Sequence, residues 1–357
     1  DQASAGFGVL FEWDIDLLSG YSSNFLNNVS KSPGTSNFFG CDTPEIASIL
    51  RNGQFDAVLV IGWYLKSLVQ AILAAKRVGI PVLVRGDSQP EERPRTSAKG
   101  VAKSLVFPAA LRVFDAALYV GHRSREYFES YRFPQERLFF SPHCVDNEWF
   151  AMRSGDDVRA SQRNEAGIAA YEKVALFAGK LQPFKRPLDV IEAAAILGRR
   201  GEPITVMVAG AGPLEEAVRA RASEACVRIV LLGFRNQSEM PACYAASDML
   251  ILPSNRRETW GLVANEALAC GRPLVVSDAV GCAPDLAMDG KVGRVVPLGD
   301  VVNLASAISD LLRAPPSAQQ IADRSRRYSI TQACAGFSEA IEFVTGGRNA
   351  RRRAYSR

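Results

Sequence analysis

With 357 residues, 47% of them apolar and 22% charged, the chain has a globular composition and length enough for about two domains. Its net charge of +4 is too mild to point to nucleic acid, and its two histidines exclude a histidine-rich metal centre. No apolar run approaches the ~18 residues of a membrane span, and the opening DQASAGFG does not read as a signal peptide.

The seven cysteines (41, 144, 226, 243, 270, 282 and 334) include no C-x2-C pair. They read as small buried residues in a reducing compartment, neither a disulfide frame nor a zinc site.

Strand-like and helix-like stretches alternate along the first half. Residues 58–62, 81–84, 116–120 and 138–141 read as strands; 65–78 and the basic 98–114 read as helices, with a further helix before 138. This alternation predicts βαβ units around a parallel sheet, whose active groups gather at the carboxyl ends of strands. Three such ends stand out: Gly62-Trp63, Arg85-Gly86-Asp87-Ser88 and Gly121-His122-Arg123. Asp87 suits a functional carboxylate and a turn or helix cap equally. Arg123 suits an anion contact or a solvated position, and His122 a place beside a helix N-cap. Asp14-Ile15-Asp16 lies in an alternating apolar/charged run and reads as a solvated strand or turn edge, not a metal site. Residues 151–173 lose periodicity and are expected as a linker with a short surface helix.

The second half carries six strand-like runs, at 174–179, 204–210, 227–233, 248–253, 273–277 and 293–297, separated by helical stretches: a doubly wound domain. After the first run, Lys180 and Lys185 bracket a turn before a helix begun by Pro187, within reach of a diphosphate. A solvated basic loop is the alternative. Gly210-Ala211-Gly212-Pro213 departs from the dinucleotide G-x-G-x-x-G pattern at its third glycine. Gly233-Phe234 ends the third run, with core filling an equal role for the ring.

Ser247–Arg272, SDMLILPSNRRETWGLVANEALACGR, holds a buried strand, a polar loop and a helix from Gly261 to Cys270. Unpaired N–H groups and the dipole at such a helix start suit a phosphate. Glu258 lies at the helix mouth and Glu266 about one and a half turns in, where carboxylates can accept hydrogen bonds from a ligand's hydroxyls. Taken alone, the pair would also fit a solvated helix face. Residues 331–344 read as a last helix, and the tail GGRNARRRAYSR as disordered and solvated, or touching anionic lipid headgroups.

The E-x7-E pair, the TWGL turn and ALACGRPLV resemble the donor site of retaining glycosyltransferase family 4, which has the GT-B fold. The resemblance is strong over 174–300 and weak in the first half. Further matches are the G-x-G-P turn, Gly281-Cys282-Ala283-Pro284-Asp285 and SPHCVDNEWF at 141–150, where Cys144 replaces a glycine and Lys180 replaces an arginine. The resemblance implies two Rossmann-like domains facing a cleft: an N-terminal, acceptor-side domain at 1–150, the linker 151–173 and a donor domain at 174–328. A helix at 329–345 returns to the first domain, and a basic tail occupies 346–357. The first domain is expected to lack its first strand, with about 50 residues of a typical member absent.

The implied activity is retaining, metal-independent hexosyl transfer from a UDP- or GDP-sugar to a saccharide or lipid-linked acceptor, in bacterial polysaccharide or glycolipid assembly. It uses no cofactor and takes place in the cytoplasm or at the inner face of the membrane. Lys180, Lys185 and the backbone at Gly261 and Leu262 are assigned to the diphosphate, Glu266 to the ribose, and Glu258 to the donor sugar. Trp260 is assigned to the sugar-pocket wall, and Gly233 and Phe234 to the base. Gly62, Trp63, Asp87 and Arg123 are assigned to the acceptor, with Glu258, Asp87 and Lys185 as the catalytic set. Two rivals stand: a non-catalytic GT-B subunit, and a nicotinamide-dependent oxidoreductase, against which the incomplete glycine fingerprint argues.

Overall fold

Strands buried on both faces of a parallel sheet require near-continuous apolar runs, and such runs build both sheets here. The computed structural model describes residue 8, residues 11–90 and residues 106–355, with side chains through residue 346. The chain divides into two units, Leu18–Pro142 with Thr331–Arg357, and Asp1–Leu17 with His143–Ile330.

In the first unit, β1 (Val58–Ile61), β2 (Val82–Gly86), β3 (Ala116–Tyr119) and β4 (Leu138–Phe140) form a parallel sheet in that order. Successive side chains point to opposite faces. Val82 and Val84 therefore join Val60, Ile72, Ala117 and Phe128 in one cluster. Leu83, Ala116 and Leu118 turn the other way, onto Ala340 of the helix Ile330–Tyr355. The helices Lys66–Arg77 and His122–Ser130 connect consecutive strands. Of the basic helix expected over 98–114, residues 98–105 lie outside the described residues. Residues 106–110 are helical, and Leu111–Val113 is a 3-10 turn leading to extended Phe114. The tail expected to be disordered instead continues the last helix as far as Tyr355.

The second unit has six parallel strands: β5 (Val174–Ala178), β6 (Thr205–Ala209), β7 (Ile229–Gly233), β8 (Met249–Leu252), β9 (Leu274–Ser277) and β10 (Gly293–Val296). Their order across the sheet is β7-β6-β5-β8-β9-β10, the doubly wound arrangement, with its switch point between β5 and β8. Helices Pro187–Arg199 and Val301–Arg313 pack together over one face, where Phe177, Val190, Ile191, Val208, Ile251 and Ile308 form the core.

The stretch expected as a linker with a short surface helix carries the helix Asp156–Glu165, which packs on the helix Met240–Ala246. Its attachment is polar, so the stretch shows little apolar periodicity. Buried Arg163 donates to the carbonyls of Ala246 (2.8 Å), Ala169, Ala170 and Glu172, and to Asp248 at 3.2 Å. Arg159 donates to the carbonyls of Ala245 and Ser247 and to Asp248, each at 2.6 Å. Two cations thus cap the carbonyl end of one helix and hold the residue that opens β8. Arg163→Ala should lower unfolding stability by about 3–5 kcal/mol, the scale for breaking a buried charge network. Denaturant titration measures this, and a loss below about 1 kcal/mol would contradict the anchoring role.

Candidate functional site

The carboxyl ends of β5 and β8 meet at the switch point, and the chain is shaped to bring them close. A β-carbon at Gly210 would lie 1.9 Å from the Gly179 carbonyl oxygen, so only glycine lets the loop after β6 pass beside the loop after β5. Lys180 follows, then the 3-10 turn Pro183–Lys185 and the helix Pro187–Arg199. Arg186 takes a left-handed backbone (φ 55°), unusual for a side-chain-bearing residue, and its guanidinium grips Asp189 at 2.6 Å. This turn points Lys185 back toward β8.

From β8 the chain enters the 253–261 loop. Asn255 N–H donates to the Phe184 carbonyl (2.8 Å), and Asn255 in turn accepts from the Glu258 amide (3.0 Å). Lys185 forms an ion pair with Glu258, and both side chains are nearly buried, at 12% and 14% exposed. Lys180 lies beside them; burial chiefly, and then the Lys185 charge, hold its ammonium below the usual lysine range, with Glu258 opposing. Gly261 is left-handed (φ 96°) and opens the helix Leu262–Ala269, with the Leu262 side chain exposed. The 280–282 loop stitches this turn in place. Gly281 N–H donates to the Glu258 carbonyl (3.0 Å) and Cys282 N–H to the Trp260 carbonyl (3.2 Å). A β-carbon at Gly281 would lie 1.7 Å from the Thr259 oxygen.

The two glutamates are not a solvated face. Glu266 is buried, accepts from the Tyr244 hydroxyl at 2.7 Å, and has a longer contact from the Gln237 amide at 3.4 Å. Burial raises its pKa, with those two hydrogen bonds opposing.

Trp260 departs from the expected pocket wall. Its indole is 4% exposed, lies between the rings of His143 and Tyr328, and donates to Asn265 at 2.8 Å. Asn265 in turn donates to the His143 carbonyl. An N–H partner five residues on, in the helix that follows the turn, draws the ring inward, so Trp260 anchors the turn.

Gly233 and Phe234 lie at the end of β7, with the Phe234 ring 4.5 Å from that of Phe11. Asp14 of the D-x-D is exposed, as expected for a solvated turn edge, and also accepts from the Ser238 amide at 3.2 Å. Cys144 is not among the positive-φ residues, so the glycine replacement causes no strain. Among the described residues no group of three or more His, Cys, Asp or Glu side chains is placed to hold a metal, and no helix is long and apolar enough to cross a membrane.

In the first unit, three of the four acceptor-side candidates line one cavity. Gly62, Trp63 and Asp87 share about 300 Å³ with Tyr64, Phe107 and Tyr127. Arg123 is not among the lining residues; it donates to Gln89 at 2.8 Å, two positions beyond Asp87. Arg85 holds the carbonyls of Ser141 and Pro142. A cavity of about 570 Å³ in the second unit, lined by Lys173, Thr205, Cys226 and Arg228, contains none of the expected residues. It lies at the amino ends of β5–β7, whereas open α/β sheets bind ligands at carboxyl ends.

Sequence reading missed Gln237, Tyr244, Asn265 and the contact role of Gly281. The one available signal is Tyr244, a large polar aromatic in the small-residue run ACYAAS.

Residues 158–328 match the family model of the group 1 glycosyl transferases. The chain is 31% identical over 247 residues to a GDP-mannose-dependent alpha-(1-6)-phosphatidylinositol monomannoside mannosyltransferase of Mycolicibacterium smegmatis, covering 66% of this chain and 64% of that one. It is 37% identical over 182 residues to a D-inositol 3-phosphate glycosyltransferase of Mycobacterium marinum, covering 49% and 37%. The chain thus spans less than two thirds of these relatives' length. The crystal structure of Anabaena Alr3699/HepE in complex with UDP superimposes with a TM-score of 0.69 at 20% identity, covering 84% of this chain and 82% of that one. The fold is GT-B. The glycine turn Gly210-Ala211-Gly212-Pro213 follows the domain's second strand, β6, and a dinucleotide fingerprint would follow the first.

Gly281→Ala should cost about 1–3 kcal/mol through forced displacement of the 258–260 turn. Thermal and denaturant unfolding test this. A variant with the wild-type midpoint would show that the two loops are not held in contact.

Proposed function

We propose that the protein is a retaining, metal-independent glycosyltransferase of family 4 that moves a sugar from a uridine- or guanosine-type nucleotide to an acceptor hydroxyl. The observation carrying this reading is the meeting of Lys180, Lys185, Glu258 and the Gly261 helix start at the β5/β8 switch point. As the bond from the anomeric carbon to phosphate breaks, the electron pair leaves with the diphosphate. The lysine charges and the backbone at Gly261 and Leu262 stabilise that growing negative charge. The acceptor oxygen bonds to the same face, and its proton passes to the departing phosphate.

Glu266 takes the ribose hydroxyls, Glu258 the donor-sugar hydroxyls, and the Gly233-Phe234 strand end the base. Lys185 then exchanges its carboxylate partner for phosphate. The relative named for GDP-mannose and the neighbour bound to UDP support a nucleotide-sugar donor.

The first unit's cavity suits a polyhydroxylated ring, with Asp87 accepting from hydroxyls and Trp63 offering an apolar face. The relatives named for phosphatidylinositol monomannoside and inositol 3-phosphate support an acceptor of this class, within glycolipid or polysaccharide assembly.

The two glutamates should fail differently. Glu266→Gln should chiefly raise the donor KM, because the ribose contact is held equally in ground and transition states. Glu258→Gln should chiefly lower kcat and leave nucleoside-diphosphate affinity near wild type. Steady-state kinetics with separate calorimetry on both variants distinguishes them. The reverse pattern would exchange the assignments, and two wild-type variants would move the donor site elsewhere.

Turnover should be unchanged in a chelator, since the lysines supply the positive charge that a cation would bring. Activity lost with EDTA and restored by Mg²⁺ or Mn²⁺ would refute metal independence.

A further inference from the structure

We propose that Tyr244 is a positioning residue for donor binding: it locks one oxygen of Glu266 so that the other faces the ribose diol. This rests on the assignment of Glu266 to the ribose.

The two carboxylate oxygens of Glu266 have unequal surroundings. Oε2 accepts from the Tyr244 hydroxyl at 2.7 Å. Tyr244 is 0% exposed, and it sits on the helix Met240–Ala246, packed near Phe150 and beside the buried Cys243. That donor cannot swing away. Among the described residues, Oε1 receives only the 3.4 Å contact from Gln237, whose side chain is partly exposed on the loop leading from Phe234 into the same helix.

A carboxylate has about four acceptor positions. Here one is filled by a rigid hydroxyl and another by a weak amide contact that a ligand can displace. Without the tyrosine hydroxyl, the terminal torsion of Glu266 is broad and two-fold, and the side chain can turn either oxygen to the ligand.

Charge favours the same arrangement. Burial disfavours ionised Glu266, while the tyrosine O–H favours it. The hydroxyl thus opposes the upward shift that burial imposes and favours the acceptor form that two ribose hydroxyl donors require. A purely structural role for Tyr244 would be filled equally well by phenylalanine.

The test is a cycle between protein and ligand. UDP and GDP, and their 2′,3′-dideoxy counterparts, are titrated calorimetrically into wild type, Tyr244→Phe and Glu266→Gln, with donor kinetics on each. For the nucleotide that binds, Tyr244→Phe should weaken the ribose form about tenfold, the scale of one hydrogen bond to a charged group. Its affinity for the dideoxy form should match wild type, and KM should rise with kcat near wild type. Equal weakening of both forms would mean that the hydroxyl only supports the fold, and no weakening of either would mean that it does not orient Glu266; each overturns the proposal while leaving the ribose assignment intact. A wild type that does not distinguish ribose from dideoxyribose would overturn the ribose assignment along with it.

Discussion

The ion pair between Lys185 and Glu258 joins the two strand-end loops of the second unit's switch point, and much of the local chain serves to hold it. Each partner is nearly buried, and taking charges out of water costs several kcal/mol per ion before their attraction is counted. Such a pair is poor evidence for stability; its value lies in placing an unscreened cation and a carboxylate beside a helix start. The supports are backbone contacts with little freedom: Asn255 on the Phe184 carbonyl, Gly281 on the Glu258 carbonyl, and the approach of Gly210 to Gly179. Under the proposed transfer, charge developing on the diphosphate would meet groups already oriented before the ligand arrives.

Behind this front, a second row of polar contacts fixes the helix that carries Glu266. The Trp260 indole bonds to Asn265, one residue before that glutamate, and Tyr244 reaches the carboxylate from a neighbouring helix. Arg159 and Arg163 tie the carbonyl end of the Tyr244 helix to Asp248 at the start of β8. Buried polar groups are expensive unless partnered, so these contacts specify one arrangement in which β8, its loop and both helices agree.

The sheets were legible because parallel strands announce themselves as apolar runs, and all six runs of the second half became strands. The convergence of Lys180, Lys185 and Glu258 was legible too, since strand order in a doubly wound sheet brings the first and fourth strand ends together. Trp260 was misread because its inward turn depends on Asn265 and His143, and a sequence position does not reveal which face a loop residue takes. In residues 151–173 the expected short surface helix is present, and what the sequence did not show is how it is held. Their helix is attached through arginine-to-carbonyl bonds, which leave no apolar period. The close approach at Gly281 was equally invisible, because it depends on two loops that meet only in the fold.

A crystal structure of the protein with UDP or GDP tests the central claim most directly. The account predicts a diphosphate within hydrogen-bonding distance of the Lys185 ammonium and the Gly261–Leu262 backbone, with the ribose on Glu266 Oε1, the oxygen that Gln237 contacts weakly. A nucleotide held instead at the amino ends of β5–β7, beside Lys173 and Arg228, with the Lys185–Glu258 pair undisturbed, would contradict it.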